Sequence, residues 1–245
     1  MSITATSRGT GNDTTSASSF NISVPQNLTA GTMAVLVLGF SNNSSSVTLT
    51  SVTDSLGNSW LIGTQYKRTD IGNTFGNGTN LAIAYSLQRV GALTTSDTIT
   101  CNFSTAIENK AWALKEISYG HSIILSQSGS TNGVGDVDTP TITTSTVYNE
   151  RIVLAAMSAE RGDSITAEDS VNNTNGSWST HQTDTTGTTG INDVQITTQH
   201  KILTGTSTQT YSPVHDGSSD SFSIAWIEFT EKITNPVLSN GLFGF

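Results

Sequence analysis

The sequence predicts an all-β fold: a single β-sandwich, with jelly-roll or Greek-key connections, built from two tandem pseudo-repeats. Three observations predict it. Apolar and polar residues alternate at the two-residue period of a half-buried strand, as in "FNISV" (20–24) and "VTLTSV" (47–52), and no ten-residue window sustains a 3.6-residue period between helix caps. Glycine, asparagine, serine and a few prolines punctuate these stretches, as turns require. Five patterns then return in the same order in the second half of the chain.

In order, residues 1–19 are polar and rich in Gly, Ser and Thr, and read as a lead-in or an edge strand. The alternation through Phe20, Ile22 and Val24 closes at Pro25. "LTAGT" (28–32) is a turn, and "MAVLVLGF" (33–40) is apolar on both faces, the mark of a central strand. "VTDSLGNSW" (52–60) is strand, polar turn, strand. Asp54 and Asn58 can bond nearby backbone N–H groups, Gly57 supplies a positive φ, and Trp60 opens the return strand. "WLIGTQYKR" (60–68), "LAIAYSLQ" (81–88), "DTITCNFS" (97–104) and "AWALKEISY" (111–119) complete the first set. In the second set "RIVLAAM" (151–157) answers "MAVLVLG" (33–39), and "AEDSVNNTNGSW" (167–178) answers the Asp54 turn, with Trp178 in place of Trp60. "DVQITTQHKIL" (193–203), "STQTYSPV" (207–214) and "SFSIAWIEFT" (221–230) answer the remaining three strands.

The expected organisation is a lead-in over 1–19, a sandwich over 20–231 and a C-terminal apolar arm over 232–245, with repeat 1 at about 20–120 and repeat 2 at about 140–231. A five-strand unit presents an apolar face that it cannot bury alone, and a second copy covers it. The alternative is two separate sandwiches, near 1–122 and 123–235.

Composition narrows the function classes. Of 245 residues only 12% are charged, and the balance is −9. The ten basic residues form no cluster, which argues against nucleic acid and against anionic membrane surfaces. No basic start with an apolar core opens the chain, and the longest apolar run (33–38) is strand-sized, so the expectation is a protein made in the cytoplasm without a signal peptide. The single cysteine, Cys101, reads as a packed side chain on a strand.

Candidate chemistry is sparse, and neither a catalytic residue nor a cofactor or metal site is expected. His121, His181, His200 and His215 lie far apart, without zinc spacing. Asp54 as a calcium ligand lacks the six to eight oxygens such an ion takes. Glu116 and Glu228 hold equivalent places in the two repeats, and symmetry could bring them together as a glycosidase pair requires. The plainer reading is two glutamates bonded locally where their strands leave the core. Glu160, Asp163, Glu168 and Asp169 read as solvated loop acids, while Tyr66, Tyr148, Trp178 and Tyr211 could offer stacking faces to a sugar. Polar loops at 41–47, 72–80, 129–138, 172–192 and 215–221 could form a binding end.

The arm, "ITNPVLSNGLFGF" (233–245), carries Pro236, Val237, Leu238, Leu242, Phe243 and Phe245 with no charged side chain. It either folds back on its own domain or inserts aromatic anchors into a neighbour's groove.

The pattern "AGTMAVLVLGF … VTDSLGNSW … TNLAIAYSLQ … DTITCNFS … KAWALKEIS", with its degenerate second copy, resembles a broad group of β-sandwich proteins of bacteriophages and bacterial surfaces. The likeness covers roughly 20–231 and rests on the turn of Asp54, Gly57, Asn58 and Trp60. It implies a non-enzymatic virion structural protein, first a capsid decoration (cement) protein, with capsid or tail proteins and copies of itself as partners, trimers among them. A tail-fibre adhesin or carbohydrate-binding module that takes a host surface glycan is the alternative, and a polysaccharide-degrading enzyme comes third.

Overall fold

The computed structural model of the chain describes residues 3–41, 47–66, 78–87, 91–134, 141–143, 150–160, 165–167, 177–180, 182–187, 193–205, 208–211, 213–215 and 221–232. Among them there is no helix. The first repeat supplies β1 (Thr4–Asp13), β2 (Ala17–Ser23), β3 (Met33–Ser41), β4 (Leu49–Asp54), β5 (Trp60–Tyr66), β6 (Thr79–Leu87), β7 (Thr98–Ile107) and β8 (Lys110–Ser118). The second supplies β9 (Ser122–Val134), β10 (Thr141–Thr143), β11 (Arg151–Glu160), β12 (Ile165–Ala167), β13 (Gln182–Thr185), β14 (Val194–Leu203), β15 (Thr208–Thr210), β16 (Val214–His215) and β17 (Ser221–Lys232).

The two halves are wired alike. The first forms a five-stranded sheet β1-β8-β3-β6-β5 beneath a three-stranded sheet β2-β7-β4. The second forms β9-β17-β11-β14-β13, with the short pairs β10-β15 and β12-β16 standing where β2-β7-β4 stands in the first. Each is an eight-strand jelly-roll order, in which β5 joins the larger sheet along β6 and β15 and β16 share the place of β7.

The five-stranded sheets pack on each other. Met33, Val35 and Val37 of β3 meet Ile152, Leu154 and Ala156 of β11 in one apolar layer that also takes Ile83, Ala113, Ile196 and Ile227. This is the sandwich expected between the repeats. The structure adds two outer layers. The opposite face of β3 (Ala34, Leu36, Leu38, Phe40) packs with Phe20, Ile22, Val52, Ile99 and Cys101 under the three-stranded sheet. The opposite face of β11 (Val153, Ala155, Met157) packs with Trp178, Tyr211 and Phe222. The reason lies in β3, whose nine residues are all buried: a strand apolar on both faces needs cover on both.

Strand contacts across the middle layer obey a pseudo-twofold axis. β1 lies over β13 and β9 over β5; β8 over β14 and β17 over β6; β3 over β14 and β11 over β6. β3 crosses β11 at the axis. There Gly39 is pressed so close to Ile196 and Ser158 that a Cβ would not fit.

Two boundaries differ from the sequence reading. The lead-in contains β1, an edge strand paired with β8 along its whole length, so the first repeat starts near Thr4. The sheet of the second half takes in β9, ahead of the start near residue 140 expected for repeat 2. The match of β3 to β11 also shifts by one residue. Met33 corresponds to Ile152 and Gly39 to Ser158, because the one-residue slip would exchange inner and outer faces.

Candidate functional site

The Asp54 turn is built around one carboxylate. Its Oδ1 accepts from the backbone N–H of Leu56 and of Asn58, both at 3.0 Å. Its Oδ2 accepts from the Trp60 indole at 2.8 Å. Gly57 takes φ 74°, and the buried Asn58 amide donates to the Gly91 carbonyl at 3.3 Å. Trp60 packs on the outer core of the first half, while Trp178, its counterpart, is buried in that of the second. With both oxygens bonded to N–H groups, Asp54 works as a turn organiser. No cluster of metal-ligating side chains is found among the described residues.

The paired glutamates do not meet. Glu116 sits opposite Ala34 and Glu228 opposite Val153, so each points to the outer layer of its own half, away from the other. Glu116 pairs with Arg8 and accepts from the Thr29 N–H at 2.9 Å. Burial works to raise its pKa, but the bonds from Thr29, Arg8 and Thr32 outweigh it and hold the carboxyl below its usual range. Glu228 lies 3.8 Å from Arg151, both fully buried, and accepts from Ser126 at 2.6 Å. Trp178 and Tyr211 pack on each other with tilted rings, centroids 5.0 Å apart, buried inside the second half, and offer no face to a sugar. Cys101 is fully buried, and burial pushes its thiol pKa up. His200, half-buried in the middle layer, has its pKa lowered to about 4 by burial and then by the Lys115 charge. Tyr148, Asp163, Glu168, Asp169, His181, the Glu160 and His215 side chains and the arm residues Pro236, Val237, Leu238, Leu242, Phe243 and Phe245 lie outside the described residues. So do most of the long polar loops.

What the sequence did not point to is an open mouth of the middle layer, where β5 faces β9. It encloses about 530 Å³. Met33, Tyr85 and Leu87 form its floor on β3 and β6, with Ser59 and Leu61 on the β5 side. Ile123, Ile124 and Leu125 of β9 and Phe229 of β17 form the other wall. The Tyr85 ring meets Phe229 edge-on at 5.0 Å, and burial raises its phenol pKa. Four large apolar side chains are exposed among the described residues. Leu61 (58%) and Ile124 (46%) line this mouth, Ile62 (37%) is next to Leu61, and only Leu56 lies elsewhere.

The duplication supplies an internal comparison. Matching ladders give Ala5 as the counterpart of Leu125, Thr4 of Ile124, Ile3 of Ile123, His200 of Tyr85 and Ser179 of Leu61. At the equivalent edge on the other side of the axis the exposed positions are thus polar, and Ile3 is buried, its N–H bonded to Glu150 at 2.7 Å. Chemically, the β5/β9 mouth can hold an aliphatic or aromatic group of about the volume that small-ligand pockets offer. No protein-family model and no curated protein matches the chain.

Proposed function

We propose that the chain is a non-enzymatic structural protein of a bacteriophage particle, first a capsid decoration (cement) protein, which holds its neighbours through an apolar contact. The observation that carries the contact is the β5/β9 mouth, with Leu61 and Ile124 exposed where the other repeat has Ser179 and Thr4. An apolar cavity rimmed by such side chains is how a protein marks an interaction site. Tandem jelly rolls support the particle reading by analogy, since the jelly roll recurs in viral capsids, and also in lectins. The resemblance carried by the Asp54 turn points to the same group.

The test is a density gradient of particles from a lysate of the source cells, probed with an antibody to the chain. The chain bands with the particles, and Leu61→Asp, placed on the exposed rim, moves it to the free-protein fraction. A chain that stays at the top of the gradient, or that binds on a glycan array, gives the reading up in favour of an adhesin.

A further inference from the structure

We propose that a second copy of this chain docks on the β5/β9 face, side by side about a twofold axis normal to the sheets, so that the dimer continues both five-stranded sheets and closes the mouth. The inference rests on the reading of the mouth as a contact site and deepens it by naming the partner; it does not depend on the kind of particle.

The free edges come first. β5 ends one five-stranded sheet and β9 the other, and no described strand pairs with their outer sides. An edge strand presents unpaired N–H and C=O groups, and proteins guard such edges with charge, proline or shortness. The far edges are guarded: β1 carries Arg8 and Asp13, and β13 is four residues long and carries Asp184. They are also tied together, the Asn12 amide donating to Asp184 at 2.8 Å and the Gln182 amide to the Gly9 carbonyl at 2.7 Å. β5 (seven residues) and β9 (thirteen) hold no charged residue and no proline. Each has one bulge, at Gly63 and at Ser126, but Leu61 and Ile62 stand exposed directly before the first of them.

The two edges also share a midpoint. Gly63, the middle residue of β5, is pressed against Ile227, and Ile227 pairs with Ser128, the middle residue of β9. Leu61 shares the mouth with Ile124, and the Ser130 hydroxyl donates to the Gln65 carbonyl at 3.4 Å, so the two strands run the same way. A twofold axis normal to the sheets reverses a strand's direction. Set beside Ile62, it lays β5 antiparallel to β5 of the second copy and β9 antiparallel to β9 in one operation, the isologous contact that closes as a dimer. Ile62 then faces Ile62 of the second copy, within the ~5 Å of a directly opposed pair. Leu61 faces Gly63 of the second copy, whose missing side chain leaves it room.

Charge and area favour a copy as the occupant. Two chains of charge −9 repel, so a contact between them is best made where charge is absent. Neither edge strand and no residue lining the mouth is charged. At about 3.4 Å per residue the edges are about 24 and 44 Å long, and two sheets about 10 Å apart make a face about 20 Å deep. That is of the order of 700 Å² per copy, against the ~800 Å² per partner of a standard interface.

The test is light scattering and sedimentation of the full chain from micromolar to millimolar protein, which should show a monomer–dimer equilibrium. Leu61→Asp with Ile62→Asp sets four carboxylates around the axis and should weaken the dimer about a hundredfold, with the circular dichroism of the chain unchanged. Leu56→Asp, at an exposed site elsewhere, should leave the dimer as it is. Ile62→Cys should oxidise to a linked dimer and Leu56→Cys should not, because a residue meets its own copy at disulfide distance only beside a twofold axis. Cys101 is fully buried and stays silent. A chain that stays monomeric to millimolar concentration, a dimer untouched by the double substitution, equal oxidation at 62 and 56, or assemblies larger than two would each overturn the inference. A monomer that binds the neutral dye N-phenyl-1-naphthylamine, and loses it with Leu61→Asp, would give the face to a small apolar ligand. A monomer that bands with particles would give it to another particle protein. A dimer that fails to band touches only the particle reading.

Discussion

Both oxygens of the Asp54 carboxylate are taken by N–H donors from the turn it begins, so the residue closes the turn and anchors the Trp60 ring in one stroke. Asp54→Ala leaves two backbone N–H groups and one indole without this acceptor, and should cost about 2 kcal/mol in urea unfolding. A loss below the error of that measurement would mean that water replaces the carboxylate freely. Lys115 presents the opposite case. Its side chain enters the middle layer, 2% exposed, with no acidic partner among the described residues, and burial lowers its pKa from 10.5 to about 8. Between those two values the unfolded chain binds more protons than the folded one, so stability rises with pH from 8 to 10.5 and the full penalty stands below 8. His200 acts in the same direction between 4 and 6.5. Lys115→Met should add about 3 kcal/mol at pH 7 and abolish the rise above pH 8. A variant less stable than the parent at pH 7 would show that the ammonium is held and not merely tolerated. Glu228→Gln should cost about 3 kcal/mol, because it removes a buried negative charge 3.8 Å from the buried Arg151 guanidinium; denaturation midpoints of variant and parent decide it.

At the scale of elements, β3 and β11 set the design. Each is buried on both faces, which stacks four layers where one alternating strand would stack two. The crossing at Gly39 needs the missing side chain, for Ile196 and Ser158 stand where a Cβ would go. Gly39→Val should separate the five-stranded sheets and cost about 3 kcal/mol by overpacking. Unchanged stability in thermal unfolding would place the crossing elsewhere. The long apolar strands, the Asp54 turn and the repeat were legible in the sequence because period and turn chemistry are local. β1 was legible only as one of two readings, and β9 was not assigned to the second repeat, since "TATSRGTGND" and "SIILSQSGSTNGV" are edge strands whose glycines serve the tryptophans lying over them. Gly11 sits beneath Trp112 and Gly129 beneath Trp226, a pairing that only the fold brings together. The mouth was hidden for the same reason: Leu61, Tyr85, Ile124 and Phe229 are distant in sequence and become neighbours only when β5 faces β9.

The whole molecule is two jelly rolls joined back to back through a shared apolar layer, with an axis relating the halves and an apolar mouth that breaks the symmetry at one edge. Bonds tie the halves as well: the Thr79 hydroxyl donates to the Ser158 carbonyl at 3.1 Å, and the Ser223 hydroxyl to the Thr79 carbonyl at 2.6 Å. If the middle layer is what holds each half in shape, neither half should open alone. The tryptophans allow a direct reading, because Trp60 and Trp112 belong to the first half and Trp178 and Trp226 to the second. Equilibrium unfolding in urea, followed by fluorescence in one variant with Trp60 and Trp112 changed to Phe and another with Trp178 and Trp226 changed to Phe, should give a single transition in each. After each midpoint is referred to the circular-dichroism curve of the same variant, the two probes should coincide. Two separated transitions, with one half melting while the other keeps its fluorescence, would contradict the shared layer as the element that makes this chain one folded unit.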